Sequence, residues 1–237
     1  MKGWTRKAAA TAAAATLMLA MAGPASGLVS RDVIHAQDEL TYTGGNGNGG
    51  AFIQPAGIEA ELQNDDPDAK HNVVSVADGP DGGPLFVSRL ADTGETAPVE
   101  GTQYLQAGTY HFVCTIHSGM EGDLQVNGTG AKPRPDIRVA VASKRLRNLK
   151  KGKVAVRLAA ATASDDISVS AFVGGKPAGF ADAIDLAPAE RRTIKLKLGK
   201  QARKAVKKGL KKKRKVAVSV SAAVPFGAPD SVKKKLK

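Results

Sequence analysis

The sequence predicts an all-β protein made of two consecutive β-sandwich modules, and three observations carry that prediction. In both halves of the chain apolar residues alternate with polar ones over short runs, the two-residue period of half-buried strands. Gly, Pro, Asn and Asp interrupt these runs at close intervals, as turns between strands require. The charge also changes sign abruptly: residues 28–130 carry 3 Lys/Arg against 15 Asp/Glu, whereas residues 131–237 carry 29 against 7. Net charges of −12 and +22 on two stretches of about 105 residues indicate two small domains. The step falls within NGTGAKPRP, residues 127–135, a Gly/Pro linker composition.

Ahead of both modules, Lys2, Arg6 and Lys7 precede an apolar run from Ala8 to Ala22 and small residues at Gly23–Gly27. This order is that of a secretory signal peptide spanning residues 1–27, cleaved on export or retained as an anchor. No later segment reads as transmembrane, so the mature chain is expected outside the cytoplasm, in the periplasm or cell envelope, or secreted.

In the acidic half, GIEAELQNDD, HNVVSV, PLFVS, GTYHFVC and GDLQV read as strands of an antiparallel sandwich or barrel of about seven short strands. GGNGNGG, residues 44–50, reads as a flexible loop. In GTYHFVC, Tyr110, Phe112 and Cys114 share one face, while His111 and Val113 share the other. The thiol is thereby expected to point inward.

Cys114 is the only cysteine of the chain. An exported protein normally keeps cysteines in disulfide pairs, so a lone one is usually an inert core residue or half of an intermolecular bridge. Its neighbours point elsewhere. His117 and Met120 follow at three-residue intervals in the turn CTIHSGM, and His71 opens a strand 43 residues upstream. A thiolate, two imidazoles and a thioether form the soft His2Cys set with a weak axial sulfur that favours copper, whereas zinc prefers a harder fourth ligand or water. His35 and His111 lie outside this pattern and read as bystanders. Asp65, Asp66 and Asp68 lack the Gly and Glu of a calcium loop and read as a solvated turn.

KHNV followed by GTYHFVCTIHSGM resembles the cupredoxins, the small blue copper proteins that include plastocyanin, pseudoazurin and amicyanin. The likeness covers residues from about 50 to 127, and the short Cys-x2-His-x2-Met loop is similar to the amicyanin form. The resemblance implies a Greek-key sandwich with His71, Cys114, His117 and Met120 as ligands of one type 1 copper ion. It further implies that Asn72 and Thr115 tie the two ligand-bearing segments together by hydrogen bonds. Val113 stands where plastocyanin has an exposed aromatic, so that partner route is not carried over.

In the basic half, DIRVAVAS, KVAVRLAAA, DISVSAFVG, RTIKLKL and RKVAVSVSAAV read as strands of an immunoglobulin-like sandwich, with KQARKAVKKGLKKK as a short basic helix. Such charge seeks anions, but nucleic-acid readers add stacking aromatics, and residues 131–237 contain neither Tyr nor Trp. Export makes the import-like KKKRKV of residues 211–216 a decoy. The expected partner of this half is an acidic cell-envelope polymer, and the opposite charges also allow it to fold back over the acidic half.

Together these readings give an exported one-electron carrier working between a protein donor and a protein acceptor. The alternative is a copper-binding or sequestering protein of the envelope without a redox partner. An enzymatic reading needs a second copper site, and only His35 and His111 remain to build one. The expectation is therefore a protein that is not an enzyme.

Overall fold

The computed structural model describes residues 33–37, 41–43 and 52–237. The signal segment 1–27, the start of the first module at residue 28 and the glycine loop 44–50 lie outside the described residues. The described chain is all-β, with one α-helix among the described residues. Its buried apolar side chains gather into two separate cores, one drawn from residues 34–126 and one from residues 137–236.

The first core is enclosed by β1 (Ile34–Gln37), β2 (Thr41–Thr43), β3 (Phe52–Pro55), β4 (Ala60–Asn64), β5 (Val74–Ser75), β6 (Val87–Ser88), β7 (Thr96–Glu100), β8 (Gly108–Val113) and β9 (Glu121–Asn127). They are hydrogen-bonded in the order β2-β1-β4-β7-β6-β5-β8-β9-β3. Two pairs, β1 with β4 and β3 with β9, are parallel, so the sheet is mixed rather than purely antiparallel as the sequence predicts. Strand alternation does its work here: in β4, Ala60, Leu62 and Asn64 are buried while Glu61 and Gln63 are partly exposed. Phe112 sits at the centre, its ring packed edge-on to Tyr42 at 5.0 Å and near Phe52 and Phe86. Its cross-strand partner is Gly122, where an added Cβ would come within 2.7 Å of the ring. Glycine at 122 is thus required by the aromatic opposite it.

The second core lies between a sheet of β10 (Ile137–Val141), β11 (Lys153–Ala160) and β14 (Arg191–Lys197) and a sheet of β13 (Lys176–Leu186), β12 (Ser164–Val173), β15 (Val216–Ala223) and β16 (Asp230–Leu236). All pairings within these sheets are antiparallel. β13 and β16 were not foreseen from the sequence. β13 contains Pro177 and Gly179 and pairs with β12 through register shifts, which erases its alternation, and β16 is an edge strand written DSVKKKL. Helix α1 (Lys200–Lys211) matches the predicted basic helix and buries Ala202, Val206 and Gly209.

Segment 128–136 joins the modules without leaving the surface of the first: the Lys132 N–H donates to the Gln103 carbonyl at 2.9 Å. Phe226 forms the main junction. Its ring lies against Tyr104 at 6.2 Å and against the backbone of Gly101, its N–H donates to Asp81 Oδ2 at 2.9 Å, and its carbonyl accepts from Arg134. Gly101, at φ 94°, has no room for a side chain, since a Cβ would meet the Leu85 carbonyl at 2.6 Å and the Phe226 ring at 2.8 Å. These contacts lie at the end of the first module where β7 finishes and β8 begins. The basic half therefore does not fold over the end where β8 finishes and the candidate ligands sit.

Candidate metal centre

Strand β8 delivers Cys114 to one end of the first core. The next residues turn back at once: the Cys114 N–H donates to the Met120 carbonyl at 2.9 Å and the Met120 N–H to the His117 carbonyl at 3.4 Å. Gly119 makes this reversal possible at φ 81°, a left-handed conformation that costs other residues about 1–2 kcal/mol. Cys114 and Met120 are buried in the same core, whereas His117 is half-buried and Ile116 is 50% exposed.

His71 arrives from a second segment, fixed by a two-way backbone bridge with Ala91. It is fully buried. Its Nδ1 lies 3.9 Å from Cys114 Sγ and 3.1 Å from His117 Nδ1, and His117 Nδ1 lies 3.6 Å from the sulfur. The three donor atoms are all within 4.8 Å of one another, a group able to hold a metal ion. An ion with bonds of about 2.0 Å to each nitrogen and about 2.3 Å to the sulfur would hold nitrogen and sulfur about 3.7 Å apart in trigonal arrangement. The two nitrogen–sulfur distances of 3.9 and 3.6 Å bracket that value, and a thiol beside two imidazoles has the chemistry of such a donor set.

The orientation of His71 comes from Asp66, which sequence reasoning assigned to a solvated turn. That reading holds for Asp65 and Asp68, which are exposed, and is corrected for Asp66, which is 5% exposed. Its Oδ2 lies 2.9 Å from His71 Nε2, while Oδ1 accepts from the N–H groups of Asp68 and Ala69. The hydrogen bond from His71, with those two amides, holds the Asp66 carboxyl below the usual carboxylate range. A carboxylate at Nε2 selects the tautomer with its proton there and leaves the Nδ1 lone pair facing Cys114 and His117. Asn64 in turn frames the Asp66 loop, accepting from the Asp66 N–H and donating to the carbonyls of Ala69 and Ala91.

Asn72 and Thr115 join the two ligand-bearing segments. The Thr115 N–H donates to Asn72 Oδ1 at 2.9 Å, and Asn72 Nδ2 donates to Thr115 Oγ1 at 3.0 Å. Tyr42, another residue missed from the sequence, donates its hydroxyl to the Asn72 carbonyl. Burial, reinforced by the adjacent Cys114, pushes the Tyr42 phenol far above its ordinary range, so it stays neutral. The signal that could have found it is the alternation in TYT, where only the central residue is buried. His35 pairs with Asp65, and His111 with Asp123 and Glu121, all on the surface.

No family model matches this chain, and no curated protein is similar to it. The metal-binding reading consequently stands on the side chains themselves.

Proposed function

We propose that the protein is an exported type 1 copper protein that carries single electrons between a protein donor and a protein acceptor. The observation supporting this most directly is the convergence of one buried thiol and two imidazole Nδ1 atoms within 4.8 Å. A soft sulfur anion beside two imidazoles favours copper over hard cations, and Met120, buried in the same core as Cys114, would add a thioether to the set. Copper held there would supply reversible one-electron chemistry between its two common oxidation states.

The chain's own residues do the rest. Asp66, Asn72, Tyr42 and the Cys114–Met120 backbone bond fix the donor groups from four directions, which keeps ligand movement small when charge changes. His117, half-buried beside the exposed Ile116, offers the electron a short path to the surface. The absence of a catalytic role is part of the proposal, since one carrier site needs no substrate pocket. The basic module is proposed to associate with an acidic polymer of the cell envelope. Among the described residues no helix is long and apolar enough to cross a membrane.

Absorption and electron paramagnetic resonance of the copper-loaded protein test the reading. An intense blue absorption with narrow copper hyperfine splitting is expected, together with reversible reduction and oxidation while copper is retained. Met120→Leu should keep the colour and raise the reduction potential. Copper bound without that absorption refutes the type 1 site, and copper lost on each reduction leaves only sequestration.

A further inference from the structure

The charges of the second module are segregated along its strands. Every Asp and Glu of residues 131–237 lies toward one end: Asp136 before β10, Asp165 and Asp166 at the start of β12, Asp182 and Asp185 in the second half of β13, Glu190 before β14 and Asp230 at the start of β16. Strand register brings these positions together, since Ile137 faces Ala160, Ser164 faces Leu186, Ala159 faces Arg191 and Ala222 faces Asp230. This is also the end that bears Phe226 and meets the first module.

The opposite end, where Lys153 faces Lys197 and Val216 faces Leu236, is closed by α1. Its sequence segments, residues 142–157, 171–179, 195–220 and 232–237, contain no acidic residue. Lys200, Lys204, Lys207, Lys208 and Lys211 are exposed on α1, and none has an ion-pair partner among the described residues. Spacings of three and four residues place these like charges beside one another on the helix, an arrangement that opposes helix formation unless a counter-charge is supplied. A merely solvated face would be relieved by a few glutamates. Here there are none.

Between α1 and the neighbouring strands lies a cleft of about 660 Å³ lined by Lys197, Lys200, Arg203, Lys204 and Lys207. Arg203 turns one of its donors inward, its Nε donating to the Leu198 carbonyl at 2.8 Å. The remaining lining charges are lysine ammonium groups. The arginine fork grips planar carboxylates and phosphates alike through paired bonds, whereas lysine acts as a point charge, the form in which it commonly binds phosphate oxygens. No aromatic residue lines the cleft, so it offers no platform on which bases could stack.

We propose that the α1 end of the basic module is a docking surface for a base-free phosphodiester polymer of the cell envelope. The proposal deepens the envelope-association part of the reading above and does not depend on copper. Because the junction lies between them, docking at this end leaves the His71–Cys114–His117 end directed away from the polymer and open to soluble partners.

The test uses the full chain and synthetic poly(glycerol phosphate), with a polyuronate of matched charge and a single-stranded DNA as competitors, over a range of salt. Tight binding is expected for the phosphate polymer, with the logarithm of affinity falling by about 0.7 per engaged phosphate for each decade of salt. Replacing Lys200, Lys204, Lys207 and Lys208 by Gln should weaken binding more than roughly tenfold and reduce that slope by about 3. Replacing Lys132, Arg138, Arg191 and Arg192 at the junction end should leave it within about threefold. Equal losses for the two sets, or equal affinity for the polyuronate or the DNA, overturn the proposal. The copper spectrum of each variant is read in parallel: weakened polymer binding with an unchanged spectrum supports docking at α1, and an absent copper spectrum with polymer binding intact refutes only the carrier reading.

Discussion

The two ends of this molecule set out their polar side chains in opposite ways. At one end three donor atoms converge from two segments, and each is held by further partners: Asp66 on His71, Asn72 on Thr115, and backbone bonds across Cys114–Met120. At the other end a row of lysines stands in water with no ion-pair partner among the described residues. The first arrangement is convergent and intolerant of loss, because desolvated groups act in fixed geometry. The second is additive, because exposed charges contribute a little each and are screened by salt. The difference teaches that burial, more than residue type, decides whether one side chain matters.

Substitutions can break or sharpen this contrast. The largest effect is expected for Cys114→Ala, which should abolish the blue absorption entirely; a Cys114→Ala protein that still turns blue with copper would sink the site assignment. Next come the two cores. Phe112→Ala should cost about 3–5 kcal/mol and loosen metal binding as well, because its ring supports Tyr42, whereas Leu158→Ala should cost about 2–5 kcal/mol with no change at the metal. Chemical denaturation of each variant, with and without copper, separates the two. Asn72→Ala removes the tie to Thr115 and should cost about 1–3 kcal/mol while speeding copper loss to a chelator. An unchanged copper off-rate would show that the tie is not needed to hold the ligands.

The smallest effect belongs to His111. Its hydrogen bond to Asp123, aided by that carboxylate's charge and by Glu121, raises its pKa above the ordinary histidine value. A raised pKa in the folded state means that its contribution to stability is complete below about pH 6.5 and fades as pH rises through the folded value. His111→Gln should remove this weak pH dependence and leave the copper spectrum untouched, readable by denaturation at several pH values. A spectral change would place His111 nearer the metal chemistry than its exposed face implies.

What the sequence made legible follows from the same contrast. Strands with clean alternation, such as Lys153–Ala160 and Val216–Ala223, are readable because one face is buried along their whole length. Thr96–Glu100 hides behind Pro98, and Lys176–Leu186 behind bulges and the positive φ of Ala183. The parallel partners of β1 and β3 depend on contacts distant in sequence, for which local pattern has no signal. At the site, Cys114, His117 and Met120 are legible because three-residue spacing places them on one turn, and His71 because imidazole is a ligand by chemistry. Asp66 was not. Aspartate beside Asn64, Asp65 and Pro67 has the composition of a wet turn, and only its burial against His71 reveals another role.

The wedge made by Phe226 has a practical consequence for anyone dividing this protein. Cutting the chain within residues 128–136 would leave the Tyr104 ring, the Gly101 backbone and the Asp81 carboxylate facing solvent where they now meet another module. An isolated first module would carry a raw, sticky heel, and aggregation of such a fragment would say nothing about its candidate metal ligands. The same seam gives the modules contacts beyond the linker itself, so a protein moored by its lysine-rich foot, as proposed, would hold the Cys114–Met120 turn at a height set by two β modules rather than by the sweep of a loose tether.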